Sequence, residues 1–318
     1  SEIIVVDNAS TDNSHRTCKE KFNNIKLIEN RQNLGYCEGN NVGIREAMGQ
    51  YIMILNPDTI VDPDCIDHLL SSYEKYGDGL YQPKILDNEN HDTFISSGNF
   101  VNSLGFGYSR GKGKVDFGQY DTDQDIGYAS GTCLFTSSKI LKKIGNFDPF
   151  LFAYHDDLDL GWRAAQLGIR SYYVPSAVIY HAESYSLKWS SKKFYWLERN
   201  RKYCILTHYS KDTYKKMQPY LRQVEFMVWI FYLSKGFLGT KIRAELDIRK
   251  NRKHILEKYQ ELESKKIVSD HELLKTFPDE IFVPKNVSGT IGSRTFNSVL
   301  TRLSKKAKDK ILDSGHRL

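Results

Sequence analysis

A chain of 318 residues, 40% hydrophobic and 26% charged, can bury a full core, which excludes long-range disorder and a minimal stapled fold. The net charge of +6 hides a division: residues 1–185 hold 16 Lys/Arg against 25 Asp/Glu, and residues 186–318 hold 29 against 14. Such asymmetry predicts two regions with different partners.

Short β-branched runs at 3–6, 25–28, 51–55, 79–86, 133–136, 170–174 and 178–180 read as strands. Between them, 14–22, 39–48, 63–76 and 156–167 read as helices, with Gly168 where a C-terminal cap belongs. The alternation predicts an α/β fold with an open, mostly parallel sheet, whose ligands sit beyond the carboxyl ends of the strands. Longer helical periods follow at 192–208, 214–237 and 240–258, the last heavily basic. The expected division is therefore 1–186, a sheet domain, and 187–318, a basic helical region. The opening Ser1 stands directly before a buried-strand pattern, so the chain reads as starting inside its first domain. Five cysteines without Cys-x-x-Cys spacing indicate neither a disulfide framework nor a zinc site and point to a reduced, cytoplasmic setting. The longest strongly apolar run, 226–233, is far short of the roughly 20 residues of a spanning helix.

Polar groups gather at the rim. Asp7-Asn8-Ala9-Ser10-Thr11-Asp12 follows the first strand, either as turn formers and helix caps or as acceptors for a nucleotide base or ribose. In Asn56-Pro57-Asp58 the proline stiffens the exit from a strand. Asp58 is then an ordinary turn residue or a ligand for Mg²⁺ or Mn²⁺, which take one or two protein carboxylates and substrate phosphate oxygens. His181 closes the strand 178–180, as a structural residue or as a further ligand. The sequence has no P-loop and no Gly-x-Gly-x-x-Gly, which weighs against triphosphate hydrolysis and dinucleotide redox chemistry.

The densest chemistry lies in residues 148–163, where Asp156, Asp157 and Asp159 fall within four positions. At about 4 Å and an effective dielectric of about 20, two like charges repel by roughly 4 kcal/mol. A helix N-terminus, a cation or a raised pKa must offset that, and each also prepares a catalytic carboxylate. Asp159 and Arg163 form an i,i+4 pair. Asp156 and Asp157, adjacent and just after Phe150, Phe152 and Tyr154, have no such account and mark a reaction site.

The order Val-Val-Asp-Asn-Ala-Ser-Thr-Asp (5–12), Asn-Leu-Gly-Tyr-Cys-Glu-Gly-Asn-Asn-Val-Gly (33–43) and Leu-Asn-Pro-Asp-Thr (55–59) resembles family 2 glycosyltransferases. So do Gly-Thr-Cys-Leu-Phe (131–135), Gly-Asn-Phe-Asp (145–148), Asp-Asp-Leu-Asp-Leu-Gly-Trp-Arg (156–163) and Val-Pro-Ser-Ala-Val-Ile-Tyr-His (174–181). The rhamnosyltransferase-like branch is the nearest in character, over residues 1–186. The family's opening β-strand and helix, which precede the first motif, have no counterpart here. The resemblance implies a glycosyltransferase A-type, Rossmann-like sheet. It implies that Asp7 and Asn8 hold the donor nucleoside and that Asn33, Gly35, Gly39 and Asn41 form the donor loop and helix start. It also implies that Asp58 binds a Mg²⁺ or Mn²⁺ ion on the diphosphate, with His181 as a second ligand, and that Asp157 is the general base. Asp156 takes the place of the family's Glu, and with Asp159 and Arg163 is assigned to the acceptor side.

The implied protein is an inverting, metal-dependent enzyme moving a sugar from a nucleoside-diphosphate sugar to a hydroxyl of a glycan or lipid-linked acceptor. A catalytically inactive nucleotide-sugar-binding or scaffold protein is the alternative. The apolar stretch 224–238 is either a core helix or an interfacial one, held with the basic run after it against anionic lipid at the inner face of the plasma membrane. Nucleic acid is not an expected partner, because no recognition motif accompanies the basic residues.

Overall fold

The computed structural model describes residues 1–182, 190–281 and 290–313, the side chains of 290–294 excepted. The first elements follow the expected alternation: β1 (Ile4–Asp7), α1 (Ser14–Lys21), β2 (Lys26–Glu29), α2 (Gly35–Glu46), β3 (Tyr51–Leu55), β4 (Thr59–Val61), α3 (Cys65–Tyr76) and β5 (Gly79–Asp87). Four short strands come next, β6 (Phe94–Ser96), β7 (Asn99–Val101), β8 (Gly107–Ser109) and β9 (Gln124–Ile126). Then follow β10 (Cys133–Ser137), α4 (Ser138–Ile144), α5 (Asp156–Gln166) and β11 (Arg170–His181). The strands expected at 170–174 and 178–180 are one element, whose register shifts between Val174 and Val178. Pro175 lies in that gap and has no N–H to give the ladder. Gly168, at φ +74°, follows the end of α5 as expected.

The main sheet has the order β3-β10-β5-β11-β4, with β6 on β5 and β9 on β11. β5 and β11 pair in parallel, and β10 runs antiparallel to both β3 and β5, so the long strands β3, β5 and β11 share one direction. β1 and β2 form a separate parallel pair. Successive side chains alternate between faces. Leu80 and Leu134 enter one hydrophobic cluster, while their neighbours Tyr81 and Phe135 enter another with Leu69 and Ile179.

The second region is helical: α6 (Ser191–His208), α7 (Lys211–Ser234), α8 (Leu238–Lys250), α9 (Arg252–Lys265), α10 (Asp270–Thr276) and α11 (Thr290–Leu312). The helix expected over 240–258 is divided at Asn251. One cluster runs from Leu158 and Trp162 of α5 through Tyr203 of α6 and Val228 of α7 to Leu303 of α11. The helices thus pack on the sheet through a continuous core. The expected division at 186/187 lies outside the described residues. Among the described residues no helix is long and apolar enough to cross a membrane.

Candidate active site

Two hydrogen bonds tie the distant motifs together at one edge of the sheet. Asn56, in the turn after β3, donates its backbone N–H to the Thr132 carbonyl (3.0 Å). The preceding residue, Gly131, donates its N–H to Asp157 Oδ2 (3.1 Å). The Asp58 turn and Asp157 therefore flank the same short segment before β10. From the other side, Asn8 Nδ2 donates to the Gly35 carbonyl (2.9 Å), and the Gly35 N–H donates to Asn33 Oδ1 (2.8 Å). Gly35 has φ +78° and lies against Phe152, where a Cβ would meet the ring at 2.6 Å. Both constraints require glycine. Gly39 faces the Asn8 amide, 2.5 Å from where a Cβ would stand. Asp7 is buried and accepts the Ser10 N–H (3.1 Å), with His15 at 3.7 Å.

The two acids are delivered by a strained loop. Phe152, Tyr154 and His155 all have φ between 61° and 65°, sparsely populated backbone costing about 1–3 kcal/mol each away from glycine. Helix α6 holds them there. Asn200 Nδ2 donates to the carbonyls of Leu151, Ala153 and Tyr154 (2.9, 2.8 and 2.7 Å), and Arg199 donates to those of Phe150 and Leu151. Neither residue stood out in the sequence. The available signal was Arg199-Asn200-Arg201, a polar run inside a helix otherwise bound for the core.

Asp156 and Asp157 open α5, where the helix dipole favours negative charge. Burial raises both pKa values, and for Asp156 the neighbouring Asp157 charge adds to burial and lifts it well above the usual carboxylate range. Asp157 is drawn back by N–H groups donated from Gly131 and Leu158, the latter at 2.8 Å. Environments that separate two carboxyls assign them different roles. Of the two, Asp156 holds its proton the more tightly, and Asp157 is the better placed to ionise. Tyr36 donates its hydroxyl to the Gly131 carbonyl (2.5 Å), and burial together with the two carboxylates pushes its pKa well up. A Cβ on Gly131 would stand 2.8 Å from the Tyr36 hydroxyl and 3.2 Å from Asp156 Oδ2.

Three expected site residues are used elsewhere. Asp159 and Arg163 do not belong to the acceptor side. Both are buried, Asp159 completely, and Arg163 donates twice to Asp159 Oδ2 (2.9 and 2.8 Å) and to the carbonyls of Ile144 and Gly145. Asp159 Oδ1 meets His208 Nε2 at 2.9 Å, and the two partners hold its pKa below the usual carboxylate range. The i,i+4 spacing was read correctly, but the pair lies on the inner face of α5. Asn41 exchanges hydrogen bonds with the backbone of Phe147 (2.9 and 3.0 Å) and so fastens α2 to the loop before residue 148.

Asp58 and His181 converge. β11 pairs with β4 so that His181 lies opposite Thr59, and the Ala182 N–H donates to the Asp58 carbonyl (3.0 Å). Asp58 Oδ1 stands 3.2 Å from His181 Nε2 but without hydrogen-bond alignment, and His181 Nδ1 also has no partner. A buried carboxylate oxygen left unsatisfied beside an imidazole is costly unless something else takes its lone pair. This oxygen–nitrogen pair suits a divalent cation whose remaining positions are filled by substrate oxygens.

The model of the family described as Glycosyl transferase family 2 matches residues 1–145. The chain is 26% identical over 206 residues to an N-acetylglucosaminyl-diphospho-decaprenol L-rhamnosyltransferase of Mycobacterium tuberculosis, covering 58% of this chain and 67% of that protein. It is also 26% identical over 181 residues to the rhamnosyltransferase WbbL of Escherichia coli, covering 51% and 66%. The chain thus spans about two thirds of the length of each of these relatives. Among solved structures, GalNAc-T7 with UDP, GalNAc and Mn²⁺ superposes with a TM-score of 0.54 at 14% identity, over 70% of this chain and 45% of that one. At that identity the likeness is one of fold.

Proposed function

We propose that the chain is a glycosyltransferase making an inverting transfer from a nucleoside-diphosphate sugar, a reading supported by the glycosyl transferase family 2 match over residues 1–145, the rhamnosyltransferase relatives and the glycosyltransferase A-type fold. The observation that carries this reading is the link from Asp157 through Gly131 and Thr132 to Asn56 and the Asp58 turn. It supports a shared rim for the Asp157 carboxylate and the Asp58 turn, where Asp58 Oδ1 is without a hydrogen-bond partner beside His181.

In the proposed reaction an acceptor hydroxyl gives its proton to the Asp157 carboxylate as its oxygen bonds to the anomeric carbon. The bond from that carbon to the diphosphate oxygen breaks on the opposite face, and the nucleoside diphosphate leaves with the electron pair. A positioned base is worth on the order of 10²–10⁴ in rate. A divalent cation, Mg²⁺ or Mn²⁺, held by Asp58 and His181 would neutralise charge on the leaving diphosphate. Asp7, Asn8, Asn33, Gly35 and Gly39 face the donor side, and protonated Asp156 with the Tyr36 hydroxyl borders the acceptor. The name of the mycobacterial relative, whose acceptor is a lipid diphosphate sugar, supports a lipid-linked acceptor for this chain.

Calorimetric titration with nucleoside diphosphates, with and without Mn²⁺, and transfer assays with the matching sugars test the reading. Asp157→Asn should lose 10²–10⁴ in turnover and keep nucleotide binding, while Asp58→Ala should lose the Mn²⁺-dependent part of that binding. Equal turnover in Asp157→Asn and the parent removes Asp157 as base. Nucleotide binding with no transfer to any acceptor selects the inactive, sugar-nucleotide-binding alternative.

A further inference from the structure

Helices α7 and α8 are joined by three residues and form a hairpin whose inward face is fully used. Val224, Val228 and Tyr232 of α7 and Lys241 and Ala244 of α8 are buried. The outward face is as apolar as the inward one. Phe226, Ile230 and Leu233 are exposed along α7, and Leu238, Ile242 and Leu246 along α8, with Phe226 67% and Leu233 62% exposed. These positions recur every three or four residues and so form one stripe on each helix. The largest apolar patch on a soluble monomer usually has a use.

The charges around the stripes have one sign. Between residues 222 and 250 the exposed charged side chains are Arg222, Lys235, Arg243, Arg249 and Lys250. The acids of this span all turn inward. Glu225 and Glu245 contact Lys202 and Lys241, and Asp247 accepts from Tyr195 (2.8 Å) and Arg199 (3.3 Å). A helix face of large apolar residues whose exposed charges within residues 222–250 are all cations matches the acyl and headgroup layers of an anionic bilayer. A second copy of the chain would bring the same cations against themselves.

We propose that the α7–α8 hairpin docks the protein on an anionic membrane surface, with Phe226, Ile230, Leu233, Leu238, Ile242 and Leu246 entering the acyl boundary and the five cations on the headgroups. Beside it lies a recess of about 230 Å³ between α6 and α8, lined by Lys192, Tyr195, Trp196 and Arg243 among others. Trp196 stacks on Phe152 of the strained loop at 5.0 Å. The docked face is therefore two side chains from the loop that bears the acids, where a lipid-linked acceptor would approach.

The test is co-sedimentation of the full chain with vesicles of phosphatidylglycerol and phosphatidylcholine, compared with vesicles of phosphatidylcholine alone. The expected result is at least tenfold tighter binding to the anionic vesicles, lost as salt is raised. The triple variant Phe226→Ser, Ile230→Ser, Ile242→Ser should weaken that binding at least tenfold while its thermal melt and its nucleoside-diphosphate binding stay at parent values. Equal binding to both vesicle types, no binding, or a triple variant that binds like the parent overturns the proposal. So does light scattering that finds a dimer dispersed by the triple variant. Nucleotide binding is read separately, so failure of docking leaves the transfer chemistry standing.

Discussion

Two of the clusters of buried charge among the described residues are built on opposite terms. At the start of α5, Asp156 and Asp157 share a rim, and what shifts Asp156 is burial and its like-charged neighbour. Between α6, α7 and α8, three carboxylates (Glu198, Glu225, Glu245) meet three cations (Arg201, Lys202, Lys241). Lys241 has no exposed surface and touches all three acids, at 2.6 Å from Glu198 and 2.7 Å from Glu245. There the cations pull the pKa values of Glu198 and Glu245 down despite burial. A balanced cluster fixes a shape, whereas an unbalanced one holds a proton poised to move.

The largest stability effect should therefore come from the balanced cluster. Lys241→Met leaves three carboxylates around a vacated centre, and breaking a buried pair by removing one partner costs about 3–5 kcal/mol. Urea unfolding should show that loss, and Lys241→Met combined with Glu198→Leu should recover part of it. A single variant as stable as the parent would mean that water already screens the network, and the contrast with α5 would fail.

Asn200 joins the two clusters, since it lies two residues from Glu198 and holds the loop ahead of Asp156. Asn200→Ala leaves the Ala153 and Tyr154 carbonyls without their donor, Leu151 keeping Arg199, and a buried group left unsatisfied costs about 1–3 kcal/mol. The released loop should also lower kcat about tenfold, a small part of what misplaced catalytic groups forfeit. KM for the donor should rise less than kcat falls, because Gly35 packs on Phe152 of the released loop but is also held by Asn8 and Asn33. A rise in KM with kcat unchanged would show that α6 serves binding and leaves the acids alone.

What was legible in the sequence depended on how local the signal was. The acids of α5, the Asn56-Pro57-Asp58 turn and the glycine after the helix announce themselves within a few residues of chain. The i,i+4 spacing of Asp159 and Arg163 fixed their contact but not the side of α5 that faces inward, because that is decided by His208, 49 residues away. Asn200 was silent for the same reason, since its acceptors lie 46–49 residues upstream. The antiparallel entry of β10 between β3 and β5 depends on pairing across more than 50 residues, which period-2 alternation does not encode. Of the two readings of 224–238, the core helix is seen in buried Val224, Val228 and Tyr232, while the exposed Phe226, Ile230 and Leu233 leave the interfacial one as a proposal.

The smallest effect sharpens the comparison most, because its sign runs against ordinary intuition. Folded Asp156 holds its proton more tightly than an unfolded chain, where the carboxyl titrates near 3.8. Stability is therefore lost as pH rises from about that value through the raised folded value, and the deficit persists above it. Asp156→Asn removes the titration. The variant should be more stable than the parent near neutral pH. The gain should close below pH 3.8, where the parent carboxyl is protonated in both states. Thermal melts of parent and variant from acid to neutral pH measure the difference directly. A variant less stable than the parent at neutral pH would mean that Asp156 is charged and paired, and the first cluster would then be balanced like the second.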